Sequence, residues 1–112
     1  MTRWIPLTSV EQLAEIVAQD QHCLIFKHST RCSVSSMAKK MIALEEPLIP
    51  DSMPCYFLDL IRYRTVSDQI ADIWQVRHES PQLLLVKGSE CLYQASHNGI
   101  HVADFISRVD AM

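Results

Sequence analysis

The chain has 112 residues, of which 48% are hydrophobic and 21% charged; these are globular values, with room for one core and no second domain of ordinary size. Its formal charge is -3, from 10 Lys plus Arg against 13 Asp plus Glu, and the absence of a long basic run argues against a nucleic-acid binder held by phosphate contacts. The segment from Met1 to Pro6 meets Glu11 and Glu15 before any apolar stretch of signal-peptide length, and no segment approaches the ~20 apolar residues of a membrane span. The expectation is a cytoplasmic protein with no membrane partner and with thiols kept reduced.

Thr8-Ser9-Val10-Glu11 reads as a capping box, with Leu13, Ile16 and Val17 at helical spacing, so a first helix is expected over 9–19. Cys23-Leu24-Ile25-Phe26 follows as a buried strand whose C-terminal end delivers a polar loop. Val34, Met37, Ala38, Met41 and Glu45 then trace the apolar stripe of a second helix over about 33–45. Pro47, Pro50 and Pro54 interrupt the chain before a second strand, Cys55-Tyr56-Phe57-Leu58-Asp59-Leu60. Strand, helix, strand implies a right-handed parallel crossover.

A third helix carries Val66, Ile70, Ile73 and Trp74, with Thr65 or Ser67 as its cap, and ends before His78-Glu79-Ser80-Pro81. Leu83-Leu84-Leu85-Val86 and Cys91-Leu92-Tyr93-Gln94-Ala95 form a hairpin about Gly88-Ser89. After a turn at His97-Asn98-Gly99, Val102, Phe105, Ile106 and Val109 form a last helix. The order α-β-α-β-α-β-β-α is the thioredoxin-like plan, with a four-stranded mixed sheet flanked by helices, formed by residues 1–112 as a single domain. Fold alone does not give function, so the reactive residues must be argued separately.

Cys32 stands between the end of the first strand and the start of the second helix, in Lys27-His28-Ser29-Thr30-Arg31-Cys32-Ser33-Val34-Ser35. Unpaired N–H groups at a helix N-terminus, with Arg31 and Lys27 adding positive charge and His28 nearby, favour a thiolate there. Three residues on, where dithiol oxidoreductases of this fold have a second Cys, stands Ser35, which gives a C-x-x-S sequence. Ser35 can donate a hydrogen bond to a thiolate but cannot close a disulfide, so Cys32 is expected to work through a mixed disulfide attacked by an external thiol.

Cys23, Cys55 and Cys91 each open a strand. A strand of ~5 residues leaves them on the order of 15 Å from Cys32, beyond the ~7 Å that a disulfide tolerates, so they read as small buried hydrophobes. A pairing between Cys23 and Cys55 stays open at this stage. No C-x-x-C occurs, and neither a metal nor a tightly bound cofactor is expected. Pro81 falls in the loop that this topology brings to the active-site Cys, where a cis Ser80–Pro81 bond would turn the Ser80 backbone toward a bound disulfide. His78 and Glu79 share that loop as candidate proton carriers or ligand contacts, and His97 and Asn98 open a turn whose N–H groups could take a carboxylate.

Together the segments KHSTRC and RHESPQ, with Tyr56-Phe57-Leu58-Asp59-Leu60 and Ala95-Ser96-His97, resemble the bacillithiol-system redox-active proteins, also called monothiol bacilliredoxins. The resemblance implies a cytosolic bacterial protein that removes bacillithiol, a low-molecular-weight thiol, from modified cysteines of client proteins. It also implies Cys32 as nucleophile, Ser35 as the motif serine and Pro81 as the cis-proline. Ser33 departs from the family's common Pro after the Cys, which restores an N–H in the first helical turn. Lys27, Arg31, Ser80, His97 and Asn98 are candidates for holding the anionic part of the thiol. Two other classes remain open: an iron–sulfur carrier bridging two protomers, distinguishable by colour and iron content, and a non-catalytic thioredoxin-like binding module.

Overall fold

A computed structural model describes residues 3–110; Met1 and Thr2, part of the N-terminal segment read above, and the last two residues of the expected domain lie outside the described residues. Its elements in chain order are β1 (Trp4–Pro6), α1 (Val10–Gln19), β2 (His22–His28), α2 (Ser33–Glu45), a 3-10 turn (Glu46–Leu48), β3 (Cys55–Asp59), α3 (Arg64–Trp74), β4 (Gln82–Lys87), β5 (Glu90–Ser96), a 3-10 turn (His97–Gly99) and α4 (Val102–Asp110). The sheet runs β1-β3-β2-β4-β5, with β1, β3 and β2 parallel and β4 antiparallel to both its neighbours.

The sheet therefore has five strands, where the sequence reading expected four. The missed strand, β1, is only three residues long and ends at Pro6, a residue that suppresses a strand reading yet is tolerated at a sheet edge. Trp4 pairs with Cys55 and Pro6 with Phe57, and the Leu7 N–H continues to the Phe57 carbonyl at 2.8 Å.

Two apolar layers sandwich the sheet, because central strands buried on both faces alternate between them. Leu24, Phe26, Cys55, Leu83 and Leu85 pack with Ala38 and Ile42 of α2 and with Val102 and Phe105 of α4. Cys23, Ile25, Leu58, Leu84 and Val86 pack with Leu13 and Ile16 of α1 and with Val66, Ile70 and Trp74 of α3. Among the described residues no helix is long and apolar enough to cross a membrane.

Three local expectations shift. The α1 cap is Ser9, whose backbone N–H is received by Gln12 Oε1 at 3.1 Å, so the box sits one residue later than Thr8–Glu11. The cap of α3 is Tyr63, and Ser67 is buried inside that helix. On α2 the buried stripe is Ser35, Ala38 and Ile42; Met37 and Met41, expected on it, are 61% and 40% exposed. The stripe was misread because Ser35 looks polar in sequence, whereas its hydroxyl is satisfied internally and tolerates burial. The β4–β5 hairpin turns where expected, with Gly88 at φ 58°, the left-handed region that tight hairpins require.

Candidate active site

The first strand does not stop at Phe26. Lys27 and His28 extend β2, pairing with Leu58 and Asp59 of β3, and alternation sends their side chains to opposite faces of the sheet. His28 goes to the α2 face, its ring centroid 5.7 Å from Phe26 and 5.4 Å from Phe57. Lys27 goes to the α3 face, is 0% exposed, and its Nζ donates to His78 Nδ1 at 2.8 Å. Burial brings the Lys27 ammonium down to about 8, against the opposing pull of Asp68 and Glu79. The expectation of Lys27 as a loop cation beside Cys32 is thereby corrected: it holds the His78 segment from beneath. A strongly apolar strand followed by Lys-His gave no sequence sign that both would be buried.

After His28 the chain turns through Ser29–Arg31 and enters α2. The Cys32 N–H donates to the Ser29 carbonyl at 3.2 Å, and the Ser36 N–H to the Cys32 carbonyl at 3.1 Å, so Cys32 is the N-cap residue. Its side chain is half-buried, while Arg31 is exposed beside it. Ser35, at the third helical position, is completely buried. Its Oγ accepts the Ser29 N–H at 2.9 Å and lies 2.7 Å from His28 Nδ1. Burial, helped by Lys39, lowers the His28 pKa, with Asp59 and the Ser35 bond acting the other way. The sequence reading missed this His28–Ser35 pair, since residues seven apart across a strand end and a helix start carry no periodic signal.

The register Lys27↔Gln82 brings the start of β4, and with it Pro81, to the end of the sheet from which the Cys32 loop leaves. The Ser80–Pro81 peptide is cis. The Pro81 carbonyl receives the His97 N–H at 3.0 Å, and Glu79 lies 3.5 Å from His97 Nε2 and 3.7 Å from Arg77 Nε. His97 and Asn98 face Val34, Met37 and Met41 of α2 across a surface groove. Ser80, Pro81, His97 and Asn98 thus gather at one end of the sheet with the first turns of the Cys32 helix. Burial, reinforced by Lys27 and Arg64, lowers the His78 pKa, and its Nδ1, accepting from Lys27, leaves any N–H of a neutral ring on Nε2.

The other thiols lie at the opposite end of the sheet. Leu24 pairs with Cys55 and Cys23 with Val86, which pairs with Cys91. The one-residue offset puts Cys23 in the α1–α3 layer and Cys55 in the α2–α4 layer, so both are free thiols separated by the sheet. Burial pushes Cys23 up to about 12 and Cys55 up to about 11. His97 and His101 are four apart in sequence, but His97 opens a 3-10 turn and His101 lies beyond it, so they do not share a helical face, and no three His, Cys, Asp or Glu side chains converge as a metal set among the described residues.

One half-buried cysteine capping a helix, a buried serine where a second thiol would stand, and a cis-proline loop at the same sheet end define a thioredoxin-like redox protein of the one-thiol type. The family model described as monothiol bacilliredoxin BrxC matches residues 5–105, and the chain belongs to that family. A solved structure described as a candidate oxidoreductase with a thioredoxin fold is 26% identical, with a TM-score of 0.78 over 96% of this chain and 95% of its own. The thioredoxin of Malassezia sympodialis is 12% identical, TM-score 0.73, over 96% and 89%. Mitochondrial thioredoxin 3 of Saccharomyces cerevisiae is 14% identical, TM-score 0.72, over 97% and 96%. These two share the fold.

Proposed function

We propose that the protein is a cytoplasmic thiol–disulfide oxidoreductase that removes bacillithiol from S-bacillithiolated client proteins through Cys32. The observation that carries this reading is the isolation of Cys32. It caps α2 half-exposed, Ser35 occupies the third position after it, and the other three cysteines stand at the far end of the strands.

The Cys32 thiolate attacks the bacillithiol sulfur of the mixed disulfide. A new Cys32–bacillithiol S–S bond forms as the old one breaks, and the client sulfur leaves as a thiolate that takes a proton from water. A second thiol, as thiolate, then attacks the bacillithiol sulfur of the Cys32 adduct, releasing the Cys32 thiolate and leaving bacillithiol in a disulfide with the attacker. Arg31 supplies positive charge beside the nucleophile, while the Ser80 backbone at the cis-Pro81 loop and the Asn98 N–H offer hydrogen bonds to the bound thiol; the His97 N–H, a candidate in the sequence, is taken by the Pro81 carbonyl. Bacillithiol is a co-substrate in this scheme, and no tightly bound cofactor is needed.

Intact mass spectrometry of wild type and Cys32→Ser after exposure to bacillithiol disulfide tests the proposal. A single bacillithiol adduct on wild type, absent from the variant, and release of bacillithiol from a modified client only by wild type are expected. Equal modification of the variant, or client release at the wild-type rate by Cys32→Ser, would overturn it.

A further inference from the structure

The helix that Cys32 caps has two exposed flanks of different chemistry. On one, Val34, Met37 and Met41 face the His97–Gly99 turn. On the other, Ser36, Lys39, Lys40 and Ala43 border an open groove of about 440 Å³ together with His28, a size within the ~300–1,000 Å³ of small-molecule sites. Cys32 caps the same helix one turn before Ser36, and the groove's helical lining begins at Ser36. Positions 36, 39, 40 and 43 share one helical face.

The groove is aromatic on its sheet side and cationic on its helix side. Lys39 Nζ stands 5.4 Å from the centre of the Phe57 ring, Phe57 packs on His28, and Lys39 also borders an adjoining cleft with Trp4, Pro6 and Phe57. Neither Lys39 nor Lys40 is ion-paired among the described residues. The nearby carboxylates are engaged elsewhere: Asp59 Oδ1 receives the N–H groups of Ile61 and Arg62, and Glu46, at the far end, receives Trp4 Nε1 at 2.8 Å. A chain of net charge -3 thus keeps two unneutralised ammonium groups on the helix that its reactive thiol caps.

We infer that this flank of α2 seats the carboxylate end of an extended low-molecular-weight thiol whose sulfur is joined to Cys32. The inference rests on the reading of Cys32 as the attacking thiol and adds to it where the rest of the small thiol lies. Lys39 and Lys40 are seven and eight residues beyond Cys32, about 10–12 Å along the helix axis, a span that lysine stems shorten. A thiol with its carboxylate many bonds from its sulfur bridges that distance, whereas cysteine is too short. The aromatic side covers the apolar or sugar portion, and the ammonium groups offset the carboxylate's loss of water. The exchange at Cys32 is unchanged: one S–S bond forms as one breaks, and neither lysine takes part in it.

The test compares rates of Cys32 adduct formation for wild type and the double variant Lys39→Glu/Lys40→Glu. The probes are bacillithiol disulfide, glutathione disulfide and uncharged bis(2-hydroxyethyl) disulfide. Both lysines are exposed, so the fold should survive reversal, and circular dichroism checks that it has. Expected is a fall of roughly tenfold with at least one of the carboxylate-bearing disulfides, lessened by salt, with the uncharged disulfide within about twofold of wild type. Unchanged rates with both carboxylate-bearing probes, or an equal fall with all three, would overturn the groove while leaving Cys32 as nucleophile. Failure of wild type to form an adduct with any probe would overturn the Cys32 reading and the groove with it.

Discussion

His28 Nδ1 and Ser35 Oγ lie 2.7 Å apart, and the same oxygen receives the Ser29 N–H at 2.9 Å. Two polar groups beneath the Cys32 loop are therefore satisfied by one hydroxyl, tying the end of β2 to the first turn of α2. Ser35→Ala leaves the Ser29 N–H and the His28 ring without that partner and should destabilise by roughly 1–3 kcal/mol. Urea unfolding of Ser35→Ala, His28→Leu and the double variant checks this. The double variant should lose less than the two single losses combined, because both remove one bond; strict additivity would argue that the pair is not coupled.

The cysteines should differ sharply in reactivity. Cys23 and Cys55 are buried on opposite faces of the sheet, held as protonated thiols by burial up to about 12 and about 11, and burial also raises Cys91. Iodoacetamide on the native protein near neutral pH should label Cys32 first and Cys91 more slowly, reaching Cys23 and Cys55 only on unfolding. Peptide mass mapping against time reads the order. A Cys23–Cys55 disulfide after mild oxidation would contradict the register.

Lys27 carries a pH dependence of definite sign. Burial lowers its pKa to about 8, below the ~10.4 of an unfolded chain. At pH 7 it is charged in both states and burial costs stability; between the two values the unfolded chain keeps a proton that the folded one has shed, so stability rises with pH. Relative to Lys27→Met, wild type should gain roughly 3 kcal/mol across that window, a comparison in which the opposing alkaline titration of Cys23 and Cys55 cancels. Denaturant unfolding of both proteins from pH 7 to pH 10.5 measures it. A constant difference would mean that the ammonium remains hydrated in the fold.

Glu45 closes α2 and caps α4 from a distance. Its Oε1 receives the Val102 N–H at 3.2 Å and its Oε2 the Ala103 N–H at 3.4 Å, two donors at a helix N-terminus that α4 itself cannot satisfy. Glu45→Ala should cost about 1 kcal/mol and speed amide exchange in the first turn of α4, with little change at Cys32. Hydrogen exchange resolved along the chain distinguishes this local fraying from a global loss.

The apolar runs Leu24-Ile25-Phe26 and Leu83-Leu84-Leu85-Val86 were legible as central strands because both their faces are buried. Gly88 was legible as a turn because few other residues adopt its φ. Cys32 stood out because a polar loop between strand and helix is a poor place for an inert thiol. Trp4–Pro6 was not legible as a strand, since an edge pairing of three residues including a proline draws its stability from β3 and not from local preference. The α2 stripe was displaced toward Met37 and Met41, because hydrophobicity counts apolar side chains and does not register a serine whose bonds are met inside.

Local patterning alone determined the element order from α1 onward, the parallel crossover with its antiparallel hairpin, and the place of Cys32, Ser35 and Pro81 along the chain, since these follow from periodicity, turn chemistry and sequence position. Tertiary structure decided which polar groups are buried and with whom. His28 and Lys27 are neighbours in sequence, yet strand alternation sends one to Ser35 and the other to His78. The same offset separates Cys23 from Cys55 although their strands adjoin. Such pairings depend on sheet register and on which helix covers which face, quantities set by contacts between residues distant in sequence, so no local window contains them.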